Sequence, residues 1–363
     1  MSSMPSIAFV SGSKAADGIF RGNYQVYRAA AELGFPSRWV QCIDPSDPEG
    51  HYRGGTTVVG RRFRPRSLEL GVNRLWTFPR QLRQLEDDRI FLGDPTFLRL
   101  ATPATADRLV VHVHDIRPLT EHRDRRDAQW MFRYALPRLR HARRIMVHTE
   151  HVRHLIERVP GVLGRVYVLP PHSEVPGTVA ERHVRTAQGR LAQEASLNVV
   201  YVATDRPYKN LRFFFELARV LSSERSPRFQ FTLVSRLGRR SAKDLDEVRP
   251  SNLTVVPFAS DLAPIYEDAD ILAFPSLYEG FGLPILEALS YGMPVIANDI
   301  EPMREILGDA AALAAPGDLV AWSEAIRALG DSRHYLHAAG RSLARVQLYS
   351  RERFLARVPG LLA

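Results

Sequence analysis

Two carboxylates, two cations and a pair of glycines carry the chemistry that this sequence offers. Glu279 and Glu287 stand eight residues apart and bracket the loop Gly280-Phe281-Gly282-Leu283, while Arg206 and Lys209 stand in a second loop about seventy residues upstream. A glycine-bearing loop that feeds a helix N-terminus presents free amide donors and the positive end of the helix dipole, which favours a phosphate. Carboxylates accept hydrogen bonds from hydroxyls, and two cations could neutralise a departing diphosphate. The set suits a ligand with phosphates in the middle and hydroxyl-rich groups at both ends, as in a nucleotide sugar. Gly-x-Gly by itself favours a plainer reading, an ordinary αβ crossover with Glu287 a solvated helix residue.

The elements that must position these groups can be read from pattern. Ile271–Phe274 is a short apolar run, as in a buried parallel strand. Pro275 and Ser276 end it, Pro284 suits the first helical position, and the helix runs to about Tyr291. Gly292 is placed for a left-handed cap, Pro294 prevents continuation, and Val295–Ala297 is the next strand. Upstream, Leu197–Val202 is a strand, Leu211–Leu221 a helix, and Phe229–Val234 and Leu253–Val256 further strands. Pro302–Leu307, Ala321–Leu329 and most of 331–362 read as helix, and the polar stretch from about Pro171 to Ser196 reads as a linker with a short helix.

The first half also alternates. Strands are expected at Ile7–Val10, Arg38–Cys42, Thr57–Val59, Arg89–Leu92, Leu109–Val113, Ile145–His148 and Val166–Leu169. Gly12, Gly18 and Gly22 read as a flexible loop before a helix from Tyr24 to Leu33. Neither the dinucleotide fingerprint nor the phosphate loop ending in Gly-Lys-Ser/Thr occurs. His112 and His114 share a strand face, but a metal site needs a third ligand that the spacing does not supply. His112 reads as a packed core residue. His114-Asp115 lies just past a strand's carboxyl end, where open α/β sheets bind ligands. His148, His151 and His154 recur every three residues and read as a polar surface, with a basic helix expected over Gln129–His141 and a solvated basic edge at Arg61, Arg62, Arg64 and Arg66. Thr149-Glu150 reads as a helix cap, and Pro257-Phe258 as a neighbour of a bound base.

At 363 residues, 45% hydrophobic and 25% charged, the chain is a globular protein with room for two domains. No apolar run approaches the ~18 residues of a membrane span, and no signal pattern opens the chain, so a cytoplasmic protein is expected. The single cysteine, Cys42, excludes an internal disulfide and reads as a buried apolar residue. Residues 1–170 hold 27 Arg and Lys against 17 Asp and Glu, a net +10, whereas the remainder is net −1. A basic half suits an anionic acceptor, a lipid surface or nucleic acid. Lysine occurs only at positions 14, 209 and 243, which sharpens interest in Lys209.

The string Glu279-Gly280-Phe281-Gly282, followed by Glu287, Ala288, Gly292 and Pro294, resembles the retaining glycosyltransferases of family 4, also called glycosyl transferases group 1. The resemblance implies a GT-B fold, α/β, with two Rossmann-like domains facing across a cleft. It implies that Glu279 contacts the donor sugar, that Glu287 contacts the ribose, and that the amides of Gly280 to Leu283 help hold the diphosphate. Lys209-Asn210 matches the family's Lys-Asn pair, with Arg206 beside it, and His114-Asp115 matches its His-Asp, near the sugar's reacting face. Gly18 and Gly22 match its N-terminal glycine loop loosely. Ala203 stands where the family has glycine, and Ser235-Arg236 intervenes before Gly238. The implied domains are 1–172, a linker 173–196, a nucleotide-sugar domain 197–340 and a terminal helix 341–363 crossing back. The implied reaction moves a hexose from a nucleoside diphosphate to a glycan, lipid-linked or small-molecule acceptor with retained configuration. It needs no cofactor and no metal, and contact with the inner face of a membrane is compatible with it. Rival readings are a GT-B epimerase or hydrolase and a non-catalytic basic protein; nucleic acid is not expected as a partner.

Overall fold

The computed structural model describes residues 4–14, 18–47, 49, 51–52, 54–116, 129, 133–173, 175–223, 228–257 and 261–363. Arg117, Phe258 and much of the expected basic helix lie outside them; the described end of that helix is a 3-10 turn, Leu136–His141. The chain divides into two units, 1–171 together with 352–363, and 172–351.

In the first unit, seven short apolar runs form a sheet that is parallel throughout among the described residues. They are β1 (Ile7–Ser11), β2 (Ser37–Ile43), β3 (Thr56–Val59), β4 (Arg89–Leu92), β5 (Leu109–His112), β6 (Arg144–Val147) and β7 (Val166–Val168). Their order is β3-β2-β1-β4-β5-β6-β7, so the direction of winding reverses between β1 and β4. Successive side chains of a strand point to opposite faces. Accordingly Ile7 and Phe9 enter one apolar cluster while Ala8 and Val10 enter another, one on each side of the sheet. The helix Gly18–Glu32 covers the first of these faces with Phe20, Val26, Ala29 and Ala30. Gly18 and Gly22 therefore sit in a helix, not in a loop, because this buried stripe outweighs their weak helix propensity. The last helix, Arg351–Leu362, packs Phe354, Val358, Leu361 and Leu362 into the same cluster, and Arg357 O accepts a hydrogen bond from the Tyr167 hydroxyl at 2.8 Å.

The second unit repeats the scheme with β8 (Leu197–Val202), β9 (Phe229–Val234), β10 (Leu253–Val256), β11 (Ile271–Phe274), β12 (Val295–Asn298) and β13 (Ala311–Ala314). The order is β10-β9-β8-β11-β12-β13, again parallel, with the reversal between β8 and β11. The stretch read as a linker holds a full helix, Gly177–Ala192. Its buried positions, Ala180, His183, Ala187 and Leu191, recur at helical spacing, but two alanines and a histidine make too faint an apolar stripe to stand out by composition. His183 Nε2 lies 2.6 Å from the Ala269 carbonyl, so the histidine serves as a buried donor rather than as surface.

Gly292 closes the helix Leu283–Ser290 with φ +68°, and a Cβ there would stand 2.9 Å from Val184 Cγ2. Both the left-handed backbone and the contact penalise any side chain. Gly292→Ala is expected to destabilise the second unit by about 1–3 kcal/mol, read as a lower urea midpoint; an unchanged midpoint would contradict this packing.

Candidate functional site

Where the winding of a parallel sheet reverses, the flanking loops leave in opposite directions and open a crevice at the strands' carboxyl ends. In the second unit those are the loop after β8, residues 203–210, and the loop after β11, residues 275–282. Arg206 and Lys209 stand on the first and Glu279 on the second, while Glu287 lies in the helix Leu283–Ser290 that follows. Lys209 Nζ donates a hydrogen bond to Glu279 Oε1, and the two side chains are only 11% and 10% exposed. An ion pair this dry is held by more than its own attraction. The Tyr201 hydroxyl, rising from β8, donates to the Lys209 carbonyl at 2.8 Å and lies 2.8 Å from Ser276 Oγ. Burial, with the Glu279 charge adding to it, holds the Tyr201 phenol well above its usual pKa, so it stays a donor. Leu277 N donates to Tyr208 O at 2.7 Å, joining the loops directly. Asn298 Nδ2, at the end of β12, donates to the carbonyls of Pro275 and Ser276 at 2.8 and 3.1 Å.

Local backbone geometry then orients the chain for a ligand. Pro207–Lys209 forms a 3-10 turn, and Asn210 takes the left-handed conformation (φ +55°) that lets the helix Leu211–Leu221 start immediately. Asparagine is among the few residues that tolerate this backbone. Gly282, at φ +89°, does the same before the helix Leu283–Ser290. The amides of Leu283 and its neighbours thus open a helix beside the Lys209–Glu279 pair, and Phe281 is buried edge-on against Tyr349. Glu287 is not a solvated helix residue: its Oε2 accepts the Tyr266 hydroxyl at 2.6 Å, and Tyr266 stacks on Tyr291. Two fixed carboxylates, one ammonium of low exposure and a helix N-terminus can together bind hydroxyls and a phosphate anion.

Arg206 is exposed, and it makes no ion pair among the described residues. Its neighbour Asp205, which sequence reasoning passed over, has a defined task. Its carboxylate accepts Gly238 N at 2.5 Å and the Ser241 hydroxyl at 2.6 Å, tying the loop after β8 to the start of the helix Arg239–Val248. Asp205, Tyr201, Tyr266 and Asn298 were missed because each has a partner 21 to 75 residues away in sequence with which it shares no spacing motif. Ser235, in the stretch before Gly238, is buried.

The remaining predicted residues belong to the first unit. Gly18 is the first residue of its helix and is exposed. His114 follows β5, half-buried, with Nε2 3.3 Å from the Gly93 carbonyl. His112 is buried, as expected of a core residue, with Nδ1 2.7 Å from Asn23 Oδ1. His148 departs from expectation. It directly follows β6, near the end of the expected strand, but is 6% exposed instead of forming a polar surface, and it lies 4.4 Å from His112 between ring centroids. Parallel pairing of β5 with β6 brings the three histidines together, which the three-residue spacing of His148, His151 and His154 concealed. Burial lowers the pKa of His148 to about 4 and holds His112 and His114 well below the usual histidine range, so all three are neutral at pH 7.

Residues 196–332 match the family model described as glycosyl transferases group 1. That stretch contains both loops of the crevice. The O-antigen chain mannosyltransferase B of Escherichia coli is 34% identical over 161 residues, 42% of this chain and 42% of that protein. The matched part thus spans about two fifths of that relative's length. Two solved structures are similar over nearly the whole chain. Sucrose-phosphate synthase from Thermosynechococcus elongatus superposes with a TM-score of 0.76 at 18% identity, covering 98% of both chains. Anabaena HepE in complex with UDP-glucose superposes with a TM-score of 0.75 at 16% identity, covering 99% of both. The fold is that of the GT-B glycosyltransferases, two Rossmann-like halves.

Breaking a buried ion pair strands the surviving charge, whereas removing both charges does not. Lys209→Met and Glu279→Gln are each expected to lower the second unit's stability by more than ~1 kcal/mol, and the double variant by clearly less than their sum. Strict additivity in a urea-denaturation cycle would show that the contact carries no coupling.

Proposed function

We propose that the chain is a hexosyltransferase that moves a sugar from a nucleoside diphosphate to a glycan, lipid-linked or small-molecule acceptor with retained anomeric configuration. The observation that carries this reading is the Lys209–Glu279 pair, buried at the winding reversal of the second sheet beside the helix that Gly282 opens. An arriving diphosphate competes for the Lys209 ammonium. That exchange frees Glu279 to accept hydrogen bonds from sugar hydroxyls while Lys209 takes up the charge that grows on the departing phosphate. Glu287, held by Tyr266, is then placed to accept hydrogen bonds from the ribose. Arg206, Lys209 and the helix N-terminus supply the positive potential, so no divalent ion is assigned to the diphosphate. The relative from Escherichia coli is named a mannosyltransferase, which makes a mannosyl donor the first to try. No observation favours the epimerase, hydrolase or nucleic-acid readings.

For the acceptor, the support is charge. In the first unit a cavity of about 630 Å³ is lined by Arg62, Arg64 and Arg66, with the buried Glu69 accepting the amides of Ser46 and Phe63 to fix the loop that carries them. Arg66 is paired with Asp47, but Arg62 and Arg64 make no ion pair among the described residues. An anionic or membrane-borne acceptor matches that surface and the +10 charge of residues 1–170. No described helix is long and apolar enough to cross a membrane, so such contact would be peripheral.

A thermal-shift screen against nucleoside-diphosphate sugars is expected to single out one donor, since a ligand of the folded state raises its stability. With that donor, Glu279→Gln and Glu287→Ala lose transfer while remaining folded, Lys209→Ala loses more than Lys209→Arg, and donor affinity is the same with and without Mg²⁺. Full transfer by either glutamate variant, or a donor affinity that depends on Mg²⁺, would overturn the assignment. Sedimentation with anionic vesicles at low salt is expected to carry down the wild type, and Arg62→Ala/Arg64→Ala much less. Equal binding to neutral vesicles would remove the electrostatic account.

A further inference from the structure

The three histidines of the first unit do more than fill space. His112 and His114 leave the same face of β5 and its extension, and β6 brings His148 alongside through the pairing of His112 with Met146. One ring nitrogen from each of the three lies within 4.8 Å of those of the other two. Imidazole bound to a metal through one nitrogen characteristically donates its other N–H to a carbonyl or carboxylate, which fixes tautomer and ring orientation. Each of these rings has such an anchor. His148 Nδ1 donates to the Leu169 carbonyl at 2.9 Å, and His114 Nε2 lies 3.3 Å from the Gly93 carbonyl. His112 Nδ1 donates to Asn23 Oδ1 at 2.7 Å, while Asn23 Nδ2 donates to the same Gly93 carbonyl at 2.9 Å and so fixes the amide's orientation. The tautomers that follow make His112 Nε2, His114 Nδ1 and His148 Nε2 the lone-pair nitrogens. His112 Nε2 is buried and has no hydrogen-bond partner among the described residues.

We propose that His112, His114 and His148 form a site for a single zinc-class divalent cation. Three neutral imidazoles are borderline-soft nitrogen donors of the kind that select zinc, cobalt or nickel over magnesium and calcium. An ion bound at about 2.0–2.1 Å from each nitrogen needs the three nitrogens about 3.3 Å apart, and the three lie within 4.8 Å of one another. Gly22 keeps the space beside the site open, for a Cβ there would stand 3.2 Å from His148 Nε2. The burial that keeps the rings neutral also removes proton competition for the ion at pH 7. A three-histidine set leaves a fourth coordination position for water or an oxygen ligand. His114 also belongs to the transfer reading, so the test reads metal binding, which can fail or succeed whatever the outcome for sugar transfer.

Metal-stripped full-length protein titrated with Co²⁺ is expected to develop the visible absorption of a low-coordinate nitrogen site at one ion per chain, and Zn²⁺ to displace it. His112→Ala and His148→Ala should each weaken binding at least 100-fold. Asn23→Ala, which keeps all three ligands, should weaken it by 10–100-fold, the usual effect of losing an outer-shell anchor. Should the histidine variants fail to fold, long-range ¹H–¹⁵N spectra of the wild type with Zn²⁺ decide instead, with three buried imidazole nitrogens moving to metal-bound positions. No stoichiometric binding up to millimolar metal, binding unaffected by His112→Ala and His148→Ala, or shifts confined to exposed histidines such as His154 would each overturn the proposal.

Discussion

Parallel strands cannot be joined by tight turns, and each return must cross a face of the sheet. This constraint governs both halves of the molecule. Helices cover both faces, the central strands are buried on both sides, and polar chemistry is driven to the loops at the strand ends. Where the winding reverses, between β8 and β11, two such loops diverge and leave room for a ligand. Lys209 and Glu279 are seventy residues apart and meet only because the order is β10-β9-β8-β11-β12-β13.

A buried ion pair is a poor way to stabilise a fold, since desolvation offsets most of the attraction. Its surroundings show how this one is maintained. Tyr201, Ser276, Leu277 and Asn298 fasten the two loops through the backbone, so the charged side chains meet without having to organise the crevice themselves. The site thus has a rigid scaffold and an exchangeable contact. A polyanion can take the lysine without dismantling the loops, because none of the scaffold bonds passes through the Lys209 ammonium. Asn210 and Gly282 add the other requirement, left-handed residues that start each helix directly after its loop.

Much of this was legible in sequence, and the limits have physical causes. The strands β4, β8, β9, β10 and β11 were read to the residue, because short runs rich in β-branched and aromatic residues bounded by turn residues mark them, whether buried on both faces as β11 or half-exposed at the edge as β10. The helix Gly177–Ala192 was not, since alanines and a histidine carry too little apolar contrast to mark its buried stripe. Gly18 and Gly22 suggested a loop, yet packing of Phe20, Val26, Ala29 and Ala30 made a helix of them. In the site, Glu279 and Lys209 were found because each sits in a short local motif. Tyr201, Asp205, Tyr266 and Asn298 act on residues distant in sequence, and a spacing pattern cannot express that.

The histidines show which signal reaches further. Read by spacing along one stretch, His148 joins His151 and His154 on a helix and points to solvent. Strand pairing gives a different neighbour. The register sets His112 beside Met146, and Val113 N bonding to Met146 O at 2.9 Å carries the pairing one step on. Two further residues along each strand, His114 and His148 fall opposite one another, and the two-residue period returns all three rings to one face. In a parallel sheet, residues that act together are brought side by side by the register of adjacent strands. The register pair His112 and Met146, carried two residues on, sets His114 opposite His148, whatever the sequence distance between them. The loops after β8 and β11 meet for the related reason that their strands are neighbours in the sheet. Strand register, more than motif spacing, decides which polar residues in this fold can share a ligand.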